Sequence, residues 1–544
     1  MVWSAARPSP VRSGARRSLA LVAGAATVFG LVACSDDDGP SKAAKAPEKP
    51  VAVADELAAS QTLLDSAEAV VVSAEDEASQ RRAAGIAVSS GAPMLVQQGA
   101  DASSVEEELK RLGVATVVTV GDADVADEGE RTVVAAPADL EGLKKLTGTE
   151  FTEAADEQEP TRAVAEMDAA EPSVPAAEGD SDAAAAGDDS DALAASDPVK
   201  AKTGDDDPIA FAAPGSPLGA IATARAAGVE VKWLPIGDAR ATSESIEAAR
   251  GDRALIGLGD VFGDDEKFAK SAELASDENI EELPGGGQLV FPGRHMIATY
   301  GHPGAPVLGV MGEETPEEAV AHAEELVAEY QGLTGDKVIP AFEIIASVAQ
   351  ASPGPRGDYT EPAPVETLMP YVDAMTEAGG YVIIDIQPGR ADFVDQAKFY
   401  EELLKKPNVG LALDPEWKLT PDGLPNVAVG HVQAEEVNRV VDYLADLTAE
   451  NNLPQKVLML HQFQLQMLRD RETIDVSRPE LAIVLHADGH GTPEQKFETW
   501  NVMRQDLQPE IFMAWKNFID EDQPMFTPQQ TMDIEPRPWI VTYQ

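Results

Sequence analysis

Eight short apolar runs recur through the second half of the chain, and segments with helical periodicity separate them. In one such segment, Val437, Val440, Val441 and Leu444 share one face of a helix. Apolar runs that alternate with amphipathic helices are typical of buried parallel strands. The predicted strands are His295–Tyr300, Val338–Ile345, Tyr381–Ile386, Val409–Leu413, Val457–Leu460, Leu481–Leu485, Ile511–Ala514 and Trp539–Thr542.

Eight parallel strands within residues 294–544 predict a (β/α)8 barrel of the TIM type, a fold that takes about 250 residues. Thr315 and Thr492 each begin a capping box with proline at the first helical position, which marks two helix starts. No helix follows the eighth strand, and we expect residues 264–283 to fill its place. The predicted barrel domain is 264–544, and a doubly wound open sheet is the competing fold.

Valine-rich runs also alternate with helical segments from Leu57 onward, which predicts a small parallel α/β domain over residues 56–150. The segment resembles the cell wall-binding repeat 2 family over roughly 70 residues. The likeness is carried by Ala69–Ser73, Arg82-Ala83-Ala84, Gly91–Val96, Leu109–Gly113 and Val117–Asp122. A fainter copy predicts a second, degenerate α/β repeat over 209–263. The resemblance implies binding of a wall polymer, and a structural module packed on the C-terminal domain is the alternative.

Between the two copies, the chain becomes acidic and loses its large apolar side chains. Residues 152–208 contain 17 acidic and three basic residues. Such a segment cannot bury enough surface to offset chain entropy, so 151–208 is predicted to be a disordered acidic linker.

The first 33 residues combine four arginines, no acidic residue and the apolar stretch Leu19–Val32, which predicts a signal peptide. The run Leu31-Val32-Ala33-Cys34 that ends it resembles a bacterial lipobox of the actinobacterial type. That resemblance implies that Cys34, the one cysteine of the chain, carries a lipid and that 34–55 is a lipid-anchored tether. An ordinary secretory signal is the alternative.

The chain carries 41 Lys+Arg against 95 Asp+Glu, a formal net charge of −54. A polyanion of this size disfavours nucleic acid as a partner. One cysteine excludes a disulfide framework and a cysteine-based metal site. We predict neither a metal nor a cofactor.

Polar and aromatic side chains collect where the predicted strands end, which is the functional face of a barrel. Aromatic rings and carboxylates together are typical of sugar recognition and acid–base chemistry. The candidate catalytic residues are Glu416, Asp414, Asp385 and Asp488. The candidate substrate-binding residues are Tyr300, His302, Glu343, Gln387, Trp417, His461, Gln462, His486, His490, Trp515, Lys516 and Tyr543.

The sequence Asp414-Pro415-Glu416 at the fourth strand resembles barrel glycoside hydrolases of the muramidase and chitinase types. The resemblance implies that Glu416 protonates the glycosidic oxygen and that Asp414 orients or stabilises. No second glutamate stands at strand seven, which disfavours a retaining mechanism with two glutamates.

These features predict a lipoprotein on the extracellular face of the membrane whose barrel binds a cell-envelope polysaccharide or peptidoglycan. The sequence is compatible both with binding of that glycan alone and with its hydrolysis. One alternative is a non-catalytic scaffold with a degenerate barrel. Another is a metal-dependent hydrolase that uses His486, Asp488 and His490.

Overall fold

The computed structural model describes residues 49–98, 103–126, 131–154, 159–176, 193 and 208–544. The signal peptide, Cys34, the first part of the tether and most of 177–207 lie outside the described residues. Among the described residues, no helix combines the length and apolar character needed to span a membrane.

The first α/β segment contains a four-stranded parallel sheet. Ala69–Ser73 lies between Met94–Val96 and Thr116–Val120, and Thr132–Ala135 is the outer strand. The first two strands are fully buried and Thr116–Val120 is mostly buried, and their apolar residues, rich in valine, are typical of a parallel sheet covered on both faces. The outer strand Thr132–Ala135 is only partly buried. Its helices are Glu77–Ser90, Ser103–Leu112 and Leu140–Thr147.

The second segment forms another parallel sheet, in which Ile209–Ala212 lies between Glu230–Trp233 and Leu255–Leu258. Val51–Val53 completes it by pairing with Leu255–Leu258, although the sequence assigned these residues to the tether. Its helices are Leu218–Ala226, Ser243–Arg250 and Asp265–Ser276, and Glu56–Leu63 follows the added strand. Helix Leu218–Ala226 packs on Glu77–Ser90, so the two segments share one hydrophobic core.

The beginning of the expected linker is folded. Strands Thr152–Glu153 and Ser173–Val174 pair in parallel, with helix Pro160–Ala165 between them. The sparse apolar residues of this stretch, including Val164 and Val174, are buried in the common core. A few well-placed apolar side chains therefore fix a segment whose overall composition suggests disorder.

The C-terminal region is a closed barrel of eight parallel strands, which confirms the predicted fold class and excludes the open sheet. Each strand pairs with the next and the eighth pairs with the first, so that Met296 lies opposite Ile540. The antiparallel strand Thr360–Pro362 extends the second barrel strand. The barrel strands are β1 Arg294–Gly301, β2 Lys337–Ala349, β3 Tyr381–Ile386, β4 Val409–Leu413, β5 Lys456–Gln462, β6 Leu481–Ala487, β7 Phe512–Asn517 and β8 Ile540–Tyr543.

Helices cover the outside of the barrel, and both predicted capping boxes are present, at Thr315 and Thr492. Between β5 and β6 the described chain has short 3-10 turns and the strand Leu468–Arg469, which pairs with Val432–Gln433. The helices are Pro316–Tyr330, Val365–Glu377, Phe393–Phe399, Glu401–Leu404, Ala434–Glu450, Pro493–Met503 and Pro528–Met532.

Helix Asp265–Ser276 does not fill the place of the missing eighth barrel helix. Its buried residues Phe268, Ala272 and Ala275 pack with Phe211 and Ile246 of the second α/β segment. The expectation for 264–283 was wrong because the apolar face of this helix is covered by its own preceding sheet.

Candidate active site

At the carboxyl end of every barrel strand, one polar side chain points into the upper half of the barrel; on β4 this residue is Asp414, directly after the strand. Strand residues alternate between the two faces of a sheet, and the lower interior is filled by apolar residues such as Met296, Ile383 and Val484. Because of the same alternation, the next inward-facing residue of each strand lies at its carboxyl end, which is the end that carries the active site in barrels of this type. The resulting ring is Tyr300, Glu343, Asp385, Asp414, His461, His486, Lys516 and Thr542.

A cavity of about 450 Å³ opens above this ring. Glu416 and Trp417 reach it from the 3-10 turn Pro415–Trp417 that follows β4. The turn is fixed by Asp414, whose Oδ1 accepts the backbone N–H of Glu416 at 3.3 Å. The predicted site residues that line the cavity are Tyr300, Gln387, Asp414, Glu416, Trp417, Asp488, His490 and Lys516.

Beneath the cavity, a chain of polar contacts connects strands β2, β5, β7 and β8 with Asp488, which directly follows β6. Nε2 of His461 lies 2.6 Å from Oε1 of Glu343, and its Nδ1 lies 2.9 Å from Oδ2 of Asp488. Oδ1 of Asp488 lies 3.3 Å from the Lys516 ammonium. Thr542 donates its hydroxyl to the other oxygen of Glu343 at 3.0 Å. These contacts fix both the imidazole and the two carboxylates.

Tyr300 and Asp385 form a second contact at the cavity floor. The Tyr300 hydroxyl donates to Oδ2 of Asp385 at 3.0 Å, and the Lys516 ammonium lies 3.9 Å from the centre of the Tyr300 ring. Burial raises the pKa of Asp385 to about 6, with the charge of Glu343 acting in the same direction. Burial and the surrounding carboxylates also raise the pKa of Tyr300 well above its usual value.

The carboxyl groups of the site differ in their proton affinity. Burial and the negative charge of Asp488 raise the pKa of Glu416 to about 7. Burial, then the charges of Glu416 and Asp385, raise the pKa of Asp414 well above its usual range. Asp488 is the opposite case, because Lys516 and His461 outweigh its burial and hold its pKa well below the usual range. The cavity therefore presents both protonated and ionised carboxyl groups near neutral pH.

His486 is fully buried on β6, and neither of its ring nitrogens has a hydrogen-bond partner among the described residues. Its Nδ1 lies 3.9 Å from Oε1 of Glu343. Within the described part of the chain, Glu343, His461 and His486 form the group whose donor atoms are close enough to share an ion. Asp488 and His490 are outside that group, so it differs from the set His486, Asp488 and His490 that the sequence offered as an alternative to a metal-free site.

Four predicted substrate-binding residues lie away from the cavity. Trp515 and Tyr543 point outward, where Trp515 packs on Trp500 and the Tyr543 hydroxyl contacts that of Tyr330 at 2.7 Å. Gln462 also points outward and accepts from Arg471. His302 is beside the rim, with Nδ1 2.7 Å from the carbonyl oxygen of Ile345. The assignments of Trp515, Tyr543 and Gln462 are corrected because each is one residue out of phase with the inward positions.

Several residues that build the site were not among those predicted from the sequence. Thr542 holds Glu343, and its inward phase on β8 is the signal that identifies it. Phe463, Phe518 and Glu521 line the cavity from loops, where no periodicity marks them.

No family model matches the chain, and no curated protein matches it. Among solved structures, the chain is similar to Plasmodium falciparum HPPK-DHPS wild type with pterin and p-hydroxybenzoate, at 10% identity and a TM-score of 0.26. The match covers 47% of this chain and 46% of that chain, so less than half of either chain is involved.

Proposed function

We propose that this protein is a lipid-anchored hydrolase of a cell-envelope glycan, with Glu416 as the proton donor. The observation that carries the proposal is a carboxyl group that lines the cavity with a pKa of about 7. Such a group is protonated in a large fraction of molecules at neutral pH and can transfer its proton to a leaving oxygen.

A second carboxyl group faces the same cavity. Asp488 is held by the Lys516 ammonium and by the imidazole of His461. Glycoside hydrolysis needs an acid on the leaving-group side and a carboxylate that stabilises or attacks the anomeric carbon, or activates water. We assign the first role to Glu416 and the second to Asp488. The leaving sugar takes the proton of Glu416 as the glycosidic bond breaks, and water supplies the hydroxyl group of the new reducing end. The other proton of that water goes to the Asp488 carboxylate, and exchange with solvent removes it from Asp488 and returns a proton to Glu416.

The cavity walls fit a sugar ligand. Tyr300, Trp417, Phe463 and Phe518 contribute aromatic surface, and Gln387 contributes an amide. Aromatic rings offer apolar faces of the size of a pyranose ring, and polar groups between them fix its orientation. The volume of about 450 Å³ lies within the usual range for ligand pockets. An open, polar cavity supports catalysis over a degenerate barrel that only binds.

The N-terminal features supply the proposed location. The lipobox-like run places the expected lipid on Cys34, and the α/β segments that resemble cell wall-binding repeats lie between that cysteine and the barrel. In this proposal the partners are the membrane, through the lipid, and a wall polysaccharide or peptidoglycan. Cys34→Ala should release the protein into the medium, and continued membrane fractionation of that variant would refute the anchor.

The catalytic proposal is tested with purified protein and purified cell-wall glycans. Release of reducing ends is measured for the wild type, Glu416→Gln and the control Glu402→Gln, which changes an exposed carboxylate of helix Glu401–Leu404 that does not line the cavity. We expect hydrolysis by the wild type and the control, and a loss of at least about 100-fold for Glu416→Gln. Binding without hydrolysis by the wild type would instead support the non-catalytic scaffold.

A further inference from the structure

We propose that Glu343, His461 and His486 bind one divalent transition-metal ion of the Zn²⁺ class inside the barrel, directly beneath the cavity. Their donor atoms all lie within 4.8 Å of one another, and the three residues come from β2, β5 and β6. None of the three ligands is a proposed catalytic carboxyl group of the glycan chemistry, although one of them, His461, contacts Asp488.

The unpartnered imidazole of His486 points to a ligand. Its side chain is 0% exposed, and both ring nitrogens lack a hydrogen-bond partner among the described residues. A neutral imidazole carries one N–H and one lone pair, and leaving them unsatisfied costs about 1–3 kcal/mol per group. An ion bound to one nitrogen explains why a histidine occupies a position where the neighbouring β6 residues are apolar.

Each of the other two ligands makes a hydrogen bond through the atom that does not face the proposed ion, as metal ligands usually do. Thr542 donates to Oε2 of Glu343 at 3.0 Å, which leaves Oε1 directed at the histidines. Oδ2 of Asp488 lies 2.9 Å from Nδ1 of His461, which leaves Nε2 directed at Glu343. Carboxylate–histidine–metal arrangements with this pattern fix the ring orientation and raise the affinity for the ion.

The distances fit an ion of this size after a small adjustment. Zinc binds nitrogen and oxygen at roughly 2.0–2.2 Å, so neighbouring donors of a tetrahedral site lie roughly 3.4 Å apart. Glu343 Oε1 is 3.9 Å from His486 Nδ1 and 2.6 Å from His461 Nε2. The ion would take the place of the hydrogen between His461 and Glu343, which leaves to solvent.

Charge and ligand type select the class of ion. The inward ring carries three carboxyl groups, on Glu343, Asp385 and Asp414, and one lysine, Lys516. A fourth carboxyl group, that of Asp488, contacts the ring at Lys516 and His461. A dication offsets this excess. Two imidazoles with one carboxylate favour zinc, iron or cobalt, whereas calcium and magnesium prefer a shell of oxygen atoms.

The test measures metal binding by the whole purified protein. After treatment with a chelator, the protein is titrated with Zn²⁺ alone and with Co²⁺ alone, by calorimetry and by visible absorption of the cobalt. We expect one ion per chain, with the absorption of a low-coordinate cobalt site. His486→Leu should abolish this binding, and Thr542→Val should weaken it by about 10-fold to 100-fold through loss of the support on Glu343.

The control is His322→Gln, which changes a histidine beside Glu314 on the outer helix. It should leave the one-ion stoichiometry intact. Absence of Zn²⁺ and Co²⁺ binding by the wild type would overturn the proposal even if His486→Leu failed to fold. Equal binding by the wild type and Thr542→Val would also count against it. Glu416→Gln should still bind the ion. Metal binding can therefore be confirmed or refuted whether or not the protein hydrolyses a glycan.

Discussion

Oδ1 of Asp488 lies 3.3 Å from the ammonium of Lys516, and this ion pair joins the ends of β6 and β7 at the cavity floor. The side chains are 11% and 3% exposed, so water screens the pair little. Removal of one member leaves the other charge buried without its main partner.

Lys516→Met should therefore reduce glycan hydrolysis by about 100-fold or more. Asp488 loses the charge that orients it, and Tyr300 loses the cation over its ring. Steady-state kinetics would show the loss mainly in kcat if Lys516 acts on the transition state. An effect confined to KM would mean that Lys516 only binds the substrate.

The activity should depend on pH through Glu416. The proton donor must be protonated, and burial with the charge of Asp488 raises its pKa to about 7. We expect kcat/KM to fall as pH rises through about 7. A profile that stays level from pH 6 to pH 9 would contradict the assignment of Glu416 as the acid.

The same group predicts a pH-dependent stability difference. Its pKa is 4.5 in the unfolded chain and about 7 in the folded protein, so the folded state binds the proton more tightly. This stabilisation is fully present below about pH 4.5 and is lost as pH rises through 7. Between pH 5 and 8, the wild type should lose roughly 2 kcal/mol of unfolding free energy relative to Glu416→Gln. This value is smaller than the full difference in pKa implies, because partial exposure of the Glu416 side chain weakens the effect. Denaturant titrations at both pH values measure this difference.

Two tryptophans near the ends of β4 and β7 should behave differently. Trp417 lines the cavity, whereas Trp515 is 1% exposed between the barrel and its outer helices. Trp417→Ala should weaken glycan binding by about 10-fold with little change in stability, as expected for the loss of one stacking face. Trp515→Ala should cost about 3–5 kcal/mol of unfolding free energy. Weaker glycan binding by a folded Trp515→Phe variant would show that this residue also serves the site.

The strand Val51–Val53 provides a test of the N-terminal architecture. Val53 is buried and pairs with Leu258, and the backbone N–H of Ala52 donates to Asp265 at 2.8 Å. Val53→Asp should destabilise the protein by several kcal/mol, because it buries an unpaired charge. An unchanged melting temperature would indicate that these residues belong to the tether, as their sequence first suggests.

The barrel could be predicted because its signal is local. Each strand is a short apolar run between helical segments, and Tyr381–Ile386 and Val409–Leu413 begin and end where the sequence indicates. The start of the linker could not be predicted, because the burial of Val164 and Val174 depends on packing against distant helices. Val51–Val53 was missed for a related reason, since its partner strand lies about 200 residues further along the chain.

The sequence predicts many of the residues of the candidate site but not how they are arranged. The end of a strand marks the functional rim, but the choice between neighbouring residues depends on which of them shares the phase of the inner apolar residues. Lys516 and Thr542 are in phase with Ala514 and Ile540, whereas Trp515 and Tyr543 are not. Contacts between strands, such as that of His461 with Glu343, depend on the barrel register and leave no mark in the local sequence.

The most direct test of the proposed function is hydrolysis of purified cell-wall glycan by the wild type and by Glu416→Gln, measured side by side at pH 6. The proposed function predicts release of reducing ends by the wild type and at least about 100-fold less by the variant, with the variant still folded. No release by the wild type from any wall glycan, or equal release by both proteins, would contradict it.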